Sequence, residues 1–266
     1  MFALAFPTID PVLFEIGPLA IRWYSLAYIA GLLLGWRYMV WMATQPPAAS
    51  SRDDVDDFLV WAIFAVVLGG RIGYVIFYNL EYYSLNPSQI LKVWQGGMSF
   101  HGGLLGVTVA TFWFCYKRKI NVLRFFDMVA TATPIGLLLG RIANFINGEL
   151  YGRPTDVSWG VVFPGAGDVS RHPSQLYESA LEGLVLLVIL HLLYRNQHIR
   201  RRPGILAGVF LIGYGIARSI AELFREPDAH LGFLLGGTTM GQWLSAPMWI
   251  GGVWLIYYGL KKSPVK

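Results

Sequence analysis

Seven stretches of about 20 mostly apolar residues recur along this chain, and that repeated length constrains its fold more than any other feature. A helix rising 1.5 Å per residue needs about 20 residues to cross a hydrocarbon core about 30 Å thick. The stretches are 21–42, 55–77, 99–116, 125–146, 176–194, 205–221 and 240–260. With 55% apolar and only 14% charged residues, the composition excludes an ordinary soluble domain of this length. The expected fold class is therefore an all-α polytopic membrane protein with seven transmembrane helices, residues 1–266 forming a single integral membrane domain.

Orientation follows from the loops, because Lys and Arg accumulate on the cytoplasmic side. One set of connections carries twelve of them: Arg52; Lys117, Arg118, Lys119 and Arg124; Arg195, Arg200, Arg201 and Arg202; Lys261, Lys262 and Lys266. The other set carries four: Lys92, Arg153, Arg171 and Arg225. This places the N-terminus on the periplasmic side and the C-terminus in the cytoplasm. The first twenty residues contain no Lys or Arg and no cleavage pattern, so the first apolar segment is expected to stay in the protein. Segments 79–98 and 147–174, rich in Gly, Pro, Tyr and Trp, read as small folded periplasmic caps. Glycines four apart, such as Gly69 and Gly73 or Gly102 and Gly106, suit close helix packing and carry no chemistry.

Five basic residues fall in the spans or at their ends: Arg22, Arg37, Arg71, Arg141 and Arg218. From the rise of a helix, Arg71 lies roughly 24 Å along the second span, Arg141 about 24 Å along the fourth and Arg218 about 20 Å along the sixth. All three then sit at one depth, in the outer third of the hydrocarbon, level with Tyr24 and His101 at the outer starts of the first and third spans. Tyr214, Arg218, Glu222 and Arg225 share a helical face. An arginine at such depth either pairs with a structural carboxylate such as Glu178, Glu182 or Glu222, or meets an anion. Three at a common depth favour the anion. Guanidinium forks bind phosphate oxygens bidentately, and a phospholipid headgroup is the anion available there.

Other groups add to this centre. His101, in Ser99-Phe100-His101-Gly102-Gly103, has glycines beside it that leave the imidazole accessible, and a neutral imidazole accepts a proton near neutral pH. A helix-end role is the alternative. His172, before Pro173 and Ser174, reads as structural at a helix start. Asn144 and Asn147 are placed to hydrogen-bond a lipid ester or phosphate, or to cap a helix end. Glu149 either holds an arginine or acts as an acid or base. Asp53, Asp54, Asp56 and Asp57 sit at the cytoplasmic entry of the second span, where acidic groups favour a helix N-terminus. No pair of histidines has metal-ligand spacing on one face, so no metal site is expected. The single cysteine, Cys115, reads as packing.

These residues resemble a known family, the prolipoprotein diacylglyceryl transferases of the bacterial inner membrane. The resemblance rests first on Gly140-Arg141-Ile142-Ala143-Asn144-Phe145-Ile146-Asn147-Gly148-Glu149-Leu150-Tyr151-Gly152. Further matches are Ile21-Arg22-Trp23-Tyr24, Gly97 to Gly103, Arg171-His172-Pro173-Ser174-Gln175-Leu176-Tyr177-Glu178, Tyr214 to Arg218, Glu222, and Arg225-Glu226-Pro227-Asp228. The resemblance implies transfer of a diacylglyceryl group from phosphatidylglycerol to the lipobox cysteine of a prolipoprotein signal peptide, releasing glycerol phosphate. It implies that Arg141 binds phosphatidylglycerol and that Arg218, His101, Tyr24, Asn144, Glu149, Gly152 and Tyr214 matter for activity. Arg71, Asn147, Glu222 and Arg225 join them as expected lipid contacts. No cofactor and no nucleic acid is implied. Two other classes compete, a transporter and a lipid-binding scaffold. The first would carry polar groups through the full membrane thickness, and the second would have no use for His101.

Overall fold

Helix starts in this chain are set by short polar side chains. The Ser51 hydroxyl accepts from the Asp54 amide at 3.1 Å while the Asp54 carboxylate accepts from the Ser51 amide at 3.0 Å, a reciprocal cap that opens α2, Arg52–Tyr78. Ser99 opens α4, Phe100–Arg118, by accepting from the Gly102 amide. The computed structural model describes residues 4–7, 9–17, 19–227 and 232–264, so Asp228, His230 and Lys266 lie outside the described residues.

The remaining long helices are α1, Trp23–Ala43, α5, Val122–Ile146, α9, Ile205–Ala221, and α10, Met240–Lys261. A further rod is composite. It begins as α6, Ser174–Glu178, widens into a π-helical stretch at Ser179–Val185, and continues as α7, Leu186–Arg195. Short helices α3, Leu80–Leu85, and α8, Gln197–Arg200, lie in connections. Helix thus fills the apolar stretches. Four helical stretches, Trp23–Ala43, Arg52–Tyr78, Val122–Ile146 and Ser174–Arg195, are both long and apolar enough to cross a membrane; Ile205–Ala221 is apolar but shorter. Their outward side chains are apolar and bare, with Phe64 61% and Leu184 51% exposed, a surface suited to acyl chains rather than water.

The chain is mostly rather than wholly helical. Strands β2, Val12–Ile16, and β3, Leu19–Arg22, pair antiparallel and lead directly into α1. Strand β1, Leu4–Ala5, pairs with β4, Val161–Val162, which pairs with β5, Ser170–Arg171. These strands are two to five residues long and carry polar neighbours, so the long apolar runs gave no sign of them.

Two compact units divide the chain: Met39–Phe126, and Met1–Tyr38 with Asp127–Lys266. In the first unit α2 and α4 approach through glycines. A Cβ on Gly73 would lie 2.7 Å from the Gly102 Cα, and one on Gly69 would lie 2.9 Å from the Gly106 Cα. Larger residues at these places would push the helices apart. Phe58, Phe114 and Phe125 form an aromatic core beside the buried Cys115. At its polar end Arg118 pairs with Asp54 and Asp57, so this acidic group both caps a helix and binds a basic residue.

In the second unit, α5 receives the π-helical stretch at Gly183, where a Cβ would lie 2.7 Å from the Leu138 Cα. Asp127 of α5 accepts from the Gly204 and Ala207 amides at 2.7 and 2.8 Å, capping the start of α9 from outside. Gly208 and Gly252 bring α9 and α10 together. These contacts fix α5, the composite rod and α9 side by side, which positions the charged cluster described next.

Candidate active site

Arg141 lies near the end of α5 and Arg218 in the last turn of α9. Between them stand two carboxylates from the composite rod, Glu178 at the end of α6 and Glu182 within the π-helical stretch, neither reached by solvent. Glu178 Oε2 lies 2.8 Å from Arg141 Nη2 and 2.8 Å from Arg218 Nη1. Glu182 lies 3.4 Å from Arg141 and 3.6 Å from Arg218. Glu222, one turn after Arg218, places Oε1 2.5 Å from Arg218 Nη2. Two guanidiniums from separate helices are thus gathered around one carboxylate oxygen.

The two arginines are not equivalent. Arg218 spends both Nη atoms on carboxylates, and its Nε faces Gly241 of α10, where a Cβ would lie 3.1 Å away. Arg141 spends only Nη2, leaving Nε and Nη1 without a partner among the described residues. A guanidinium has five N–H donors in a planar fork, so Arg141 keeps donors at Nε and at Nη1 that can each receive an anionic oxygen. The phenol of Tyr214 lies in the field of Arg141, Arg218, Glu178 and Glu182. Tyr24 lies in the field of Arg141 and Glu149 and shares a 3.3 Å hydrogen bond with Tyr28.

Beyond α5 the chain turns back at Gly148 and Leu150, both at positive φ, and this turn returns Glu149 to the helix end. Asn144 and Asn147 donate to Glu149 Oε1 at 2.8 and 3.1 Å. Gln175 donates to the Glu149 carbonyl at 2.6 Å, tying the turn to the start of the composite rod. The carboxamides of the signature therefore orient a carboxylate. Gly152 donates to the His172 carbonyl at 2.8 Å and forms a bridge with Arg225. Arg153 donates to the carbonyls of Arg225 and Glu222, both at 2.9 Å, joining this crossing to the charged cluster.

His172 belongs to the same crossing. Trp159 donates to the Tyr177 hydroxyl at 2.8 Å, and that hydroxyl lies 3.1 Å from His172 Nδ1. The phenol can donate onward only to an unprotonated Nδ1, which requires a neutral ring. Burial, and then the Arg153 cation, lower the His172 pKa from its ordinary 6.5. The unfolded chain then binds the proton more readily than the folded one, so stability is complete above 6.5 and declines as pH falls through 6.5 towards the folded value. The Tm should fall between pH 7.5 and pH 5, and His172→Gln should flatten that dependence; an unchanged slope would remove His172 from this account.

Arg71 and His101 belong to the other unit. The Arg71 guanidinium donates to five carbonyls, those of Gln89, Ile90, Lys92, Gly96 and Gly97, at 2.6 to 3.4 Å, and lies 5.1 Å from the centre of the Tyr83 ring. All five of its N–H groups are spent on the 79–98 connection. His101 lies exposed in the first turn of α4, its ring centre 5.6 Å from that of Phe100. Of the three arginines expected at one depth, the second unit brings Arg141 and Arg218 together with Tyr24, Asn144, Asn147, Glu149, Gly152, Tyr214, Glu222 and Arg225. The sequence marks Glu178 and Glu182 only as structural partners for an arginine, and Gly241 carries no signal because its role is to leave room beside Glu222 and Arg218.

Comparison with known proteins bears on the same residues. A sequence model of the family described as prolipoprotein diacylglyceryl transferase matches residues 11–258. A phosphatidylglycerol–prolipoprotein diacylglyceryl transferase of Azospirillum brasilense is 62% identical over 258 residues, covering 96% of each chain. Proteins of the same name from Paramagnetospirillum magneticum and Rhodospirillum rubrum are 58% and 56% identical, covering 98% and 100% of this chain and 98% and 97% of their own. With the long signature folded around two convergent arginines and the match running almost end to end, the chain belongs to the prolipoprotein diacylglyceryl transferase family.

Proposed function

We propose that this chain, a transferase of that family, moves the diacylglyceryl group of phosphatidylglycerol onto the lipobox cysteine thiol of a prolipoprotein, in the inner membrane of a bacterium. The carbon–oxygen bond to phosphate breaks, a carbon–sulfur bond forms, and glycerol phosphate leaves with the bonding electrons. Seven spans, with the N-terminus periplasmic and the C-terminus cytoplasmic, would place the reaction near the outer leaflet, where the basic loops point away from it.

The observation that carries this reading is Glu178 Oε2, held 2.8 Å from a nitrogen of each arginine. Guanidiniums so arranged favour an anionic oxygen, and the Nε and Nη1 donors of Arg141, without a partner among the described residues, offer a lipid phosphate charge-assisted hydrogen bonds. Arg141 is then the direct phosphate ligand, and Arg218 adds positive potential where charge grows on the leaving oxygen. The substrate thiol, with an ordinary pKa of about 8.5, needs a proton acceptor. His101, exposed at the start of α4, is the group proposed for that step.

Purified protein in phosphatidylglycerol vesicles should convert a lipobox peptide into its thioether-linked diacylglyceryl form. A scaffold or transporter would leave the peptide unmodified. His101→Gln should lower the rate by roughly 100-fold, a usual contribution of general-base catalysis. Full activity in that variant would move proton removal to another group.

A further inference from the structure

Resting on the transferase reading above, we propose that Glu178 is a positioning residue: its Oε2 yokes Arg141 to Arg218, and the π-helical stretch after it sets where that yoke lies. Four observations converge. One carboxylate oxygen contacts both guanidiniums at 2.8 Å, through Nη2 of Arg141 and Nη1 of Arg218. The yoke takes up Nη2 of Arg141 and leaves its Nε and Nη1 donors without a partner among the described residues. Glu178 is wholly buried, and its Oε1 has no hydrogen-bond partner among the described residues, so this carboxylate is held for its contact with the arginines. The stretch Ser179–Val185 departs from α-helical geometry immediately after Glu178.

The cost of that arrangement argues against a purely structural salt bridge. Burying carboxylates is unfavourable, and a well-packed apolar side chain usually stabilises a core at least as well as an ion pair does. Here, among the described residues, Glu178, Glu182 and Glu222 face two arginines. Excess negative charge beside an anion site weakens anion binding, so what Glu178 contributes is geometry. π-helical turns are rare and recur at functional sites. This one is anchored on α5, the helix that carries Arg141: the Ser179 hydroxyl donates to the Leu138 carbonyl at 3.1 Å, and Gly183 lies against Leu138. The registry between Glu178 and Arg141 is therefore built in at two places, one turn from the charged groups.

A yoke and a packing element differ in kinetics. Glu178→Gln keeps the shape and one acceptor oxygen, removes a negative charge from beside the phosphate site, and loosens the orientation of Arg141. The expected result in phosphatidylglycerol vesicles is a kcat lower by about tenfold or more with a KM for phosphatidylglycerol that is unchanged or lower. Glu178→Asp should recover part of the kcat. Ser179→Ala leaves every charge in place and, by freeing the anchor, should lower kcat about threefold at constant KM. A Glu178→Gln enzyme within about twofold of the wild-type kcat overturns the proposal. So does a loss of kcat accompanied by a raised KM and a matching fall in Tm, which marks packing alone. Should Glu178→Gln fail to fold, wild-type kinetics in Ser179→Ala overturn it. The wild-type control separates the two readings, because absence of lipidated peptide there removes the transferase reading, whereas an active wild type with unaffected variants removes only the yoke.

Discussion

Arg141→Gln and Arg218→Gln should each cut kcat/KM for diacylglyceryl transfer by roughly 100- to 1,000-fold, the range seen when a preorganised charge-stabilising donor is removed. The two losses should differ in kind. Arg141 has Nε and Nη1 without a partner among the described residues and 17% of its side chain exposed, so its loss should raise the KM for phosphatidylglycerol along with lowering kcat. Arg218 is held by Glu178, Glu182 and Glu222, and glutamine there leaves three carboxylates around a single cation. Removing one partner of a buried pair costs about 3–5 kcal/mol, so Arg218→Gln should also lower Tm measurably while Arg141→Gln does so less. Both proteins should still insert, since hydropathy decides insertion. Near-normal rates for both variants with purified lipid and a lipobox peptide would end the assignment of this cluster as the phosphate site.

Much of the helical framework could be read from the sequence because the hydrocarbon imposes a length. Ile205–Ala221 begins and ends where the apolar run does, and α1 and α2 differ from their runs by a few residues. The differences have local causes. Ser51 and Asp54 start α2 three residues early by reciprocal capping, in a segment too acidic to read as part of a span. The π-helical stretch was invisible because its composition, Ser-Ala-Leu-Glu-Gly-Leu-Val, is that of any membrane helix; what distinguishes it is contact with Leu138 of a helix distant in sequence. The small sheets escaped for the opposite reason, being too short for alternation to register.

Charge told more than pattern about the site. Arginines in apolar surroundings are costly enough to mark themselves, and Arg141 and Arg218 could be singled out on that ground alone. What depth alone could not distinguish was the partner. Arg71 has the same sequence signature as Arg141, an arginine late in a long apolar helix, yet it meets five loop carbonyls that lie 18 to 26 residues further along the chain. Carbonyls carry no mark in a sequence, whereas Glu178 and Glu182 do. Their spacing of four residues was visible, but their meeting with two arginines on other helices depends on tertiary packing.

Gly152→Ala should reduce transfer by about 100-fold or more, and the reason is backbone crowding rather than contact with substrate. A Cβ at Gly152 would lie 2.5 Å from the Phe224 carbonyl oxygen and 2.7 Å from that of His172, and neither atom can rotate away. The strands at this crossing would have to part, opening the bonds from Gly152 to His172 and from Arg153 to Phe224, each 2.8 Å long. Arg153 would then lose its hold on the carbonyls of Glu222 and Arg225, and Glu222 is one of the three carboxylates that hold Arg218. Displacement at the crossing thus reaches the charged cluster through two links. Gly148→Ala is the control within the same signature: its φ of +67 makes alanine cost about 1 kcal/mol, but its nearest neighbours are side-chain atoms 3.7 and 3.8 Å away. That variant should lose stability modestly and retain most of its kcat. Equal kinetic losses in the two variants would show that the signature glycines act through flexibility, and the crossing between Gly152, His172 and Phe224 would lose its assigned part in holding Arg218.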